Sequence, residues 1–248
     1  MQATIESQLG NATCTCEDTQ EMFWLRCEDD YASRLKLATL LKEQYRFREA
    51  VDAFNEAKRI RADDPALYIG LGGAELTLRR FAAAKEAYET ALFYGADAKG
   101  VAFPMGVYYY LQDEYQAASD FFTGALPCED EMKIAILYWN ALSCLRGKTQ
   151  DFLIYSYHEG MQVGHHIAYE EAVRVISGKE NPDAVLEKAK QNQNDLNAVI
   201  TMYGLLVYLE QAHEDNHAKE IKQLILKRKS VWPCISYLAT LKDLQFNN

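Results

Sequence analysis

The sequence is short of turn-making residues. Its 248 positions hold only 13 Gly and 5 Pro, too few for an all-β protein built on tight turns, so long helices are the economical reading. Long apolar runs are missing as well. The nearest, from Ala198 to Leu209, is about a dozen residues, is interrupted by Thr201 and Gly204, and falls short of the roughly 18 needed to span a bilayer. The stretch from Met1 to Gln8 has neither a basic region nor an apolar one, which predicts no secretory signal. Basic residues are scarce too. Lys and Arg number 26 against 36 Asp and Glu, a net charge of −10. That disfavours partners whose phosphates must be neutralised, so nucleic acid and anionic membrane surfaces are excluded as first choices.

What is present is ordinary globular composition, 49% hydrophobic and 25% charged. A chain this long can form one compact domain, two small ones or a short solenoid. Cysteines stand at 14, 16, 27, 128, 144 and 234, several inside apolar helical patterns. In a protein without a secretory signal they read as thiols of a reducing, cytoplasmic compartment. The Asn11-Ala12-Thr13 sequon then carries no sugar.

Self-comparison finds a period of 34 residues. Ala50, Phe54 and Ala57 recur as Ala84, Tyr88 and Ala91, then as Ala118, Phe122 and Ala125. The preceding segment shifts in step. Leu37-Ala38 becomes Leu71-Gly72 and Met105-Gly106, and Phe47 becomes Phe81 and Tyr115. Small residues at 38, 72 and 106, and at 50, 84 and 118, allow two helices to approach closely, while aromatics at 54, 88 and 122 fill the space beside them. Such a pair cannot bury its apolar face alone, so stacking is obligatory.

Spacing and residue types resemble the tetratricopeptide repeat. Its pattern runs aromatic, Leu-Gly, aromatic, Ala-x3-Phe and a helix-bounding Pro. The closest copy has Tyr68, Leu71-Gly72, Phe81, Ala84, Tyr88 and Ala91, with Pro65 opening its first helix. Ala38 takes the Gly position in the first copy, and Ala102 takes the aromatic position in the third. The resemblance implies an all-α, right-handed superhelix of antiparallel helix pairs, with repeats over 31–64, 65–98 and 99–132. Helical spacing of Trp24, Cys27, Tyr31, Leu35 and Ala38 predicts that the first helix already begins near Thr19. Residues 1–18 read as a polar N-terminal segment.

Beyond 132 the register lasts for one helix and then fails. Ile136, Asn140 and the Gly147-Lys148 turn keep step, but Ala118 maps to Phe152, Phe122 to Ser156 and Ala125 to Glu159. Helices are expected around 167–177, 183–191 and 195–212, followed by a basic helix to about 229 and a last one over 233–244. Residues 133–248 thus read as degenerate repeats ending in a capping helix.

Catalytic motifs are sparse. His213-Glu214-Asp215-Asn216-His217 spells H-E-x-x-H, which on a helix would offer two imidazoles to zinc and Glu214 as base. Asp and Asn in its middle are poor interior helix residues, and no third ligand lies downstream except Glu220 or Asp243, so an exposed turn is the better reading. A zinc hydrolase is the remote alternative. His165-His166 with nearby His158 reads as loop before metal site, and Cys14, Cys16 and Cys27 lack a fourth ligand. No phosphate-binding, dinucleotide or nucleophile-elbow motif occurs. No enzyme, cofactor or metal is expected.

The resemblance also implies a working surface. In this family the first helices line a concave groove, and carried over residue by residue its ligand-facing positions fall into three series. They are Leu35, Ile69, Phe103 and Leu137; Thr39, Gly73, Val107 and Ala141; and Lys42, Leu76, Tyr110 and Cys144. The set of Lys, Asn and Arg residues with which some members clamp a peptide's terminal carboxylate is absent from these places. The stripe that remains is apolar and aromatic. It would either hold an apolar peptide or protein segment or be filled by the chain's own N-terminal or C-terminal parts. The run from Tyr68 through Gly106 is also similar to acidic translocator chaperones of type III secretion, although about 115 residues after the third repeat exceed that family's plan. The expectation is a non-enzymatic protein-binding scaffold, with such a chaperone as the alternative.

Overall fold

Thr19, Asp30, Asp64, Asp97, Asn181 and Asn194 each accept a hydrogen bond from a backbone N–H two or three residues further on, inside the next helix, the usual way a helix start is fixed. The structure, a computed structural model, describes residues 17–150 and 153–245. Cys14, Cys16 and the sequon lie outside the described residues. Thirteen α-helices, two short 3₁₀ turns and no strand occur among the described residues. These group into two compact units that divide between Ala96 and Asp97, one repeat earlier than the 132–133 boundary drawn from the loss of register.

The first unit holds α1 (Gln20–Cys27), α2 (Tyr31–Glu43), α3 (Phe47–Ile60), α4 (Pro65–Thr77) and α5 (Phe81–Phe93). Helices α2 and α3 form one packed pair and α4 and α5 the next, with α3 against α4. Ala38, Ala50 and Ala57 are fully buried around Phe54, as are Ala84 and Ala91 around Tyr88. The glycine of the second pair is needed for that approach. A Cβ on Gly72 would lie 2.5 Å from a Tyr88 ring carbon, closer than two carbons can sit.

The turns repeat as well. Tyr45, Arg79 and Asp113 all have φ between 61° and 62°. In each case the next N–H reaches back five residues, Arg46 to the Leu41 carbonyl, Arg80 to Glu75 and Glu114 to Tyr109. This is the Schellman closure, made here without glycine.

At the N-terminus the chain departs from the expected continuous helix. Glu28 is extended, and Asp30 caps a new start by accepting from the Ser33 N–H. Helix α1 is therefore separate. It is tied down by Met22, which is wholly buried, and by Asp18, which pairs with Arg26 at 2.6 Å and with Arg46. Hydrogen bonds from Arg26 and then Arg46 hold the Asp18 carboxyl below its ordinary range. A carboxylate with a depressed folded pKa contributes stability above its unfolded pKa, and that contribution fades as pH falls through the folded one. Acidification below about pH 4 is expected to weaken α1 docking more in the wild type than in Asp18→Asn. Hydrogen exchange of the α1 amides across that range checks it, and equal responses would refute it.

The second unit holds α6 (Ala98–Leu111), α7 (Tyr115–Gly124), α8 (Asp130–Gly147), α9 (Ile167–Ile176), α10 (Pro182–Gln191), α11 (Asp195–Gln211), α12 (Asp215–Lys227) and α13 (Ile235–Gln245). The third repeat is α6 with α7, where a Cβ on Gly106 would come 2.6 Å from Phe122. Where a second helix of repeat four would stand, the described residues give a 3₁₀ turn, Leu153–Ser156, and a loop. Helix α11 takes over the packing. Tyr138 Oη donates to the Ile200 carbonyl at 2.8 Å, and Tyr203 Oη meets Tyr110 Oη at 2.8 Å. Trp139 sits among Tyr110, Tyr138 and Tyr203 with ring centroids 5.1, 5.2 and 6.1 Å away.

Terminal helix α13 is locked by charge. Arg146 donates to Asp243 at 2.6 Å and pairs with Glu210 at 2.9 Å, while Lys222 pairs with Glu210 at 2.7 Å. Lys242 joins Asp113. Arg228 donates to the Lys190 and Asn192 carbonyls at the end of α10 and to Asp195. Arg228 thus closes the end of α10, as a cation near a helix C-terminus does.

Candidate functional site

The groove residues expected from the sequence fall into two sets, one in each unit. Within the first unit, α2 and α4 lie side by side. They leave Leu35, Ile69 and Gly73 half-buried and Thr39 exposed, while Leu76 is buried. The Thr39 hydroxyl is engaged by its own helix, donating to the Leu35 carbonyl at 3.0 Å.

In the second unit Phe103 is half-buried, with its ring 5.7 Å from that of Phe122. Val107, Tyr110, Leu137 and Ala141 are all 3% exposed or less. These four are core, so the expectation that they face a partner does not hold in the structure. The physical reason is α11. Its Tyr203 takes the hydroxyl of Tyr110, and its Ile200 carbonyl takes that of Tyr138, next to Leu137. The chain's own C-terminal half covers this part of the stripe.

On the face of the first unit one position breaks the apolar series. Lys42 reaches over Gly73, its Nζ 3.7 Å from the place a Cβ there would occupy and 6.0 Å from the Phe54 ring centre. The Tyr88 hydroxyl lies 4.0 Å from that same place. Burial pulls the Lys42 ammonium below its ordinary value, with neighbouring Glu43 opposing, and burial pushes the Tyr88 phenol up. Neither group has a hydrogen-bond or ion-pair partner among the described residues. Lys42 carries a signal in the sequence, as a lone charge in the series with Leu76, Tyr110 and Cys144. Tyr88 carries none, because its ring reads only as filler.

The metal readings do not assemble. His213 sits in the left-handed region at φ 60°, in the turn before α12, and Glu214 precedes that helix. His213 and His217 therefore do not share a helix face, and the His217 Nδ1 instead meets Glu214 at 2.8 Å. His165 pairs with Glu131 at 2.7 Å, and His166 Nδ1 meets the Glu131 carbonyl. Both line a cleft of about 320 Å³ with Trp139, Tyr169 and Cys234. No group of three His, Cys, Asp or Glu residues able to hold a metal occurs among the described residues. Nor, among them, is any helix long and apolar enough to cross a membrane. Cys27, Cys128, Cys144 and Cys234 are free thiols.

No protein-family model and no curated protein matches the sequence. Among solved structures the chain is similar to YrrB, described as a TPR protein with an unusual peptide-binding site, at 13% identity and a TM-score of 0.47, over 92% of this chain and 98% of that one.

Proposed function

We propose that the chain is a non-enzymatic interaction scaffold that holds a partner segment on the face formed by α2 and α4 of its first unit. One observation carries the reading. Leu35 and Ile69, 34 residues apart, stay half-exposed on neighbouring helices, whereas Ala38, three residues past Leu35, and Leu71 and Gly72 just past Ile69 are buried. A repeated apolar residue left open at the same place, beside small neighbours at Thr39 and Gly73, suits an apolar side chain from outside. The dispersal of the H-E-x-x-H residues supports the non-catalytic part, and four free thiols fit a reducing cytoplasm.

Random peptides displayed on phage and selected on the full chain provide the test. Ile69→Glu is expected to weaken the selected peptides tenfold or more, on the order of 2 kcal/mol for a hot spot, with the helical spectrum and melting unchanged. Peptides indifferent to both Ile69→Glu and Leu35→Glu would sink the proposal. Phe103→Glu is the comparison in the second unit.

A further inference from the structure

Two half-buried cations of the first unit have carboxylate partners. Arg34 pairs with Asp29 and Glu56, Arg46 with Asp18 and Glu49, and Lys36, although exposed, with Glu21. Lys42 breaks this pattern. Its ammonium stands 6.0 Å above the Phe54 ring centre, a long contact with an aromatic face, it loses water, and no carboxylate among the described residues reaches it. An apolar residue would serve packing at this place equally well, as Leu76 does one repeat later. Leaving an ammonium half-buried and unpaired is unfavourable, so packing alone does not account for it.

A second donor aims at the same spot from another helix. Tyr88, on α5, is 1% exposed, and its hydroxyl is without a hydrogen bond among the described residues. Its oxygen is not sealed from solvent, so a group arriving from outside can reach it. Both donors border the space above Gly73, which stays free because that residue has no side chain. Corresponding positions elsewhere carry Thr39, Val107 and Ala141, each of which would fill it.

We infer that Lys42 Nζ and Tyr88 Oη, over Gly73, form a subsite for the carboxylate of an Asp or Glu side chain in the partner segment whose apolar residue sits on Leu35 and Ile69. The inference rests on the interaction reading above and gives it a chemistry. One ammonium and one phenol supply one donor for each carboxylate oxygen and a single neutralising charge. No arginine stands at the spot, and the N-terminus of α4 is two turns away at Pro65, so a doubly charged phosphate would be left short of donors. The chain's net charge of −10 opposes an acidic partner at long range, but salt screens that field beyond about 10 Å while a contact pair in a partly dry site persists.

Selected peptides, synthesised with acetylated and amidated ends, test it on the full chain. The expected result is an acidic residue at a fixed distance from the apolar anchor. Replacing it by Gln or Asn should weaken binding about tenfold to the wild type, and hardly at all to Lys42→Met, which keeps the stem. Tyr88→Phe should cost severalfold for the acidic peptide only. Gly73→Ala is the steric control. Its added Cβ makes ordinary contacts at 3.7 and 4.0 Å, so the fold should persist while the acidic preference goes.

Peptides that need Ile69 but show no acidic preference, and bind Lys42→Met as well as wild type, would overturn the subsite and leave the scaffold reading intact. Peptides that lose binding when amidated and regain it when remade with a free terminal carboxylate would overturn the side-chain assignment. A selection yielding nothing sensitive to either Ile69→Glu or Leu35→Glu would overturn both.

Discussion

Arg146→Met is expected to destabilise the protein by about 3–5 kcal/mol, the loss seen when one partner of a buried pair is removed. The Arg146 side chain is 17% exposed, and it faces Asp243 and Glu210, which are 11% and 20% exposed. Without it, Glu210 retains Lys222 at 2.7 Å, whereas Asp243 is left buried against the Tyr110 and Tyr203 side. Burial already pushes the Asp243 carboxyl upward against the pull of Arg146, so without Arg146 the acid should take up a proton more readily and soften the loss at low pH. Urea unfolding at neutral and mildly acidic pH measures both effects. Adding Asp243→Leu should recover much of the stability, because it removes the buried charge that Arg146 had faced. A loss below about 1 kcal/mol would mean that the network behaves like a surface pair.

Gly72→Leu should produce the second large effect, about 1–3 kcal/mol or more from overpacking. The first added carbon alone would lie 2.5 Å from the Tyr88 ring. That ring is 1% exposed and flanked by Ala84, Ala87 and Ala91, which are 4% exposed or less, so it has nowhere to retreat without parting α4 from α5. Ala84→Leu attacks the same interface from the other helix. Lys85→Leu, one residue on and held only by a 3.8 Å pair with Glu89, should stay within about 0.5 kcal/mol as a surface change. Melting curves that do not separate these variants would show that 72 and 84 are not the contact points of the pair.

The repeats were legible because their signal residues touch. Phe54, Tyr88 and Phe122 each come after the small residue at 38, 72 or 106 by the same interval, and in two of those pairs the ring lies on the glycine. A contact made within one helix pair leaves a periodic trace. The trace ends where the packing changes. Tyr45, Arg79 and Asp113 mark turns at one period, but the next non-glycine residue in the left-handed region is Lys148, one place late. One residue is about 100° of helix rotation, so the chain beyond Lys148 presents another face. Helix α8 is buried from Ile134 to Cys144, and a helix apolar all round loses the stripe that would orient it.

The same ambiguity divides the site. Apolar residues at Val107, Tyr110, Leu137 and Ala141 look alike whether they meet a guest or the chain's own α11, so sequence could not choose between them. Lys42 was visible as an exception to a series, but its meaning depends on Tyr88 and Gly73 arriving at one point from different helices. No spacing rule encodes that convergence.

Trp139, enclosed by three tyrosines in the second unit, is a built-in optical probe. An indole shielded at 2% exposure emits at shorter wavelength than one in water, and tyrosines about 5–6 Å away pass their excitation to it. Trp24, in the first unit, is 60% exposed and Trp232 is half-buried, so both are expected to emit to the red of Trp139. Light absorbed by tyrosine and emitted by Trp139 therefore carries a signature of the α6–α8–α11 core. It dims and reddens when that core opens, whatever happens around α1. No label has to be attached to follow it.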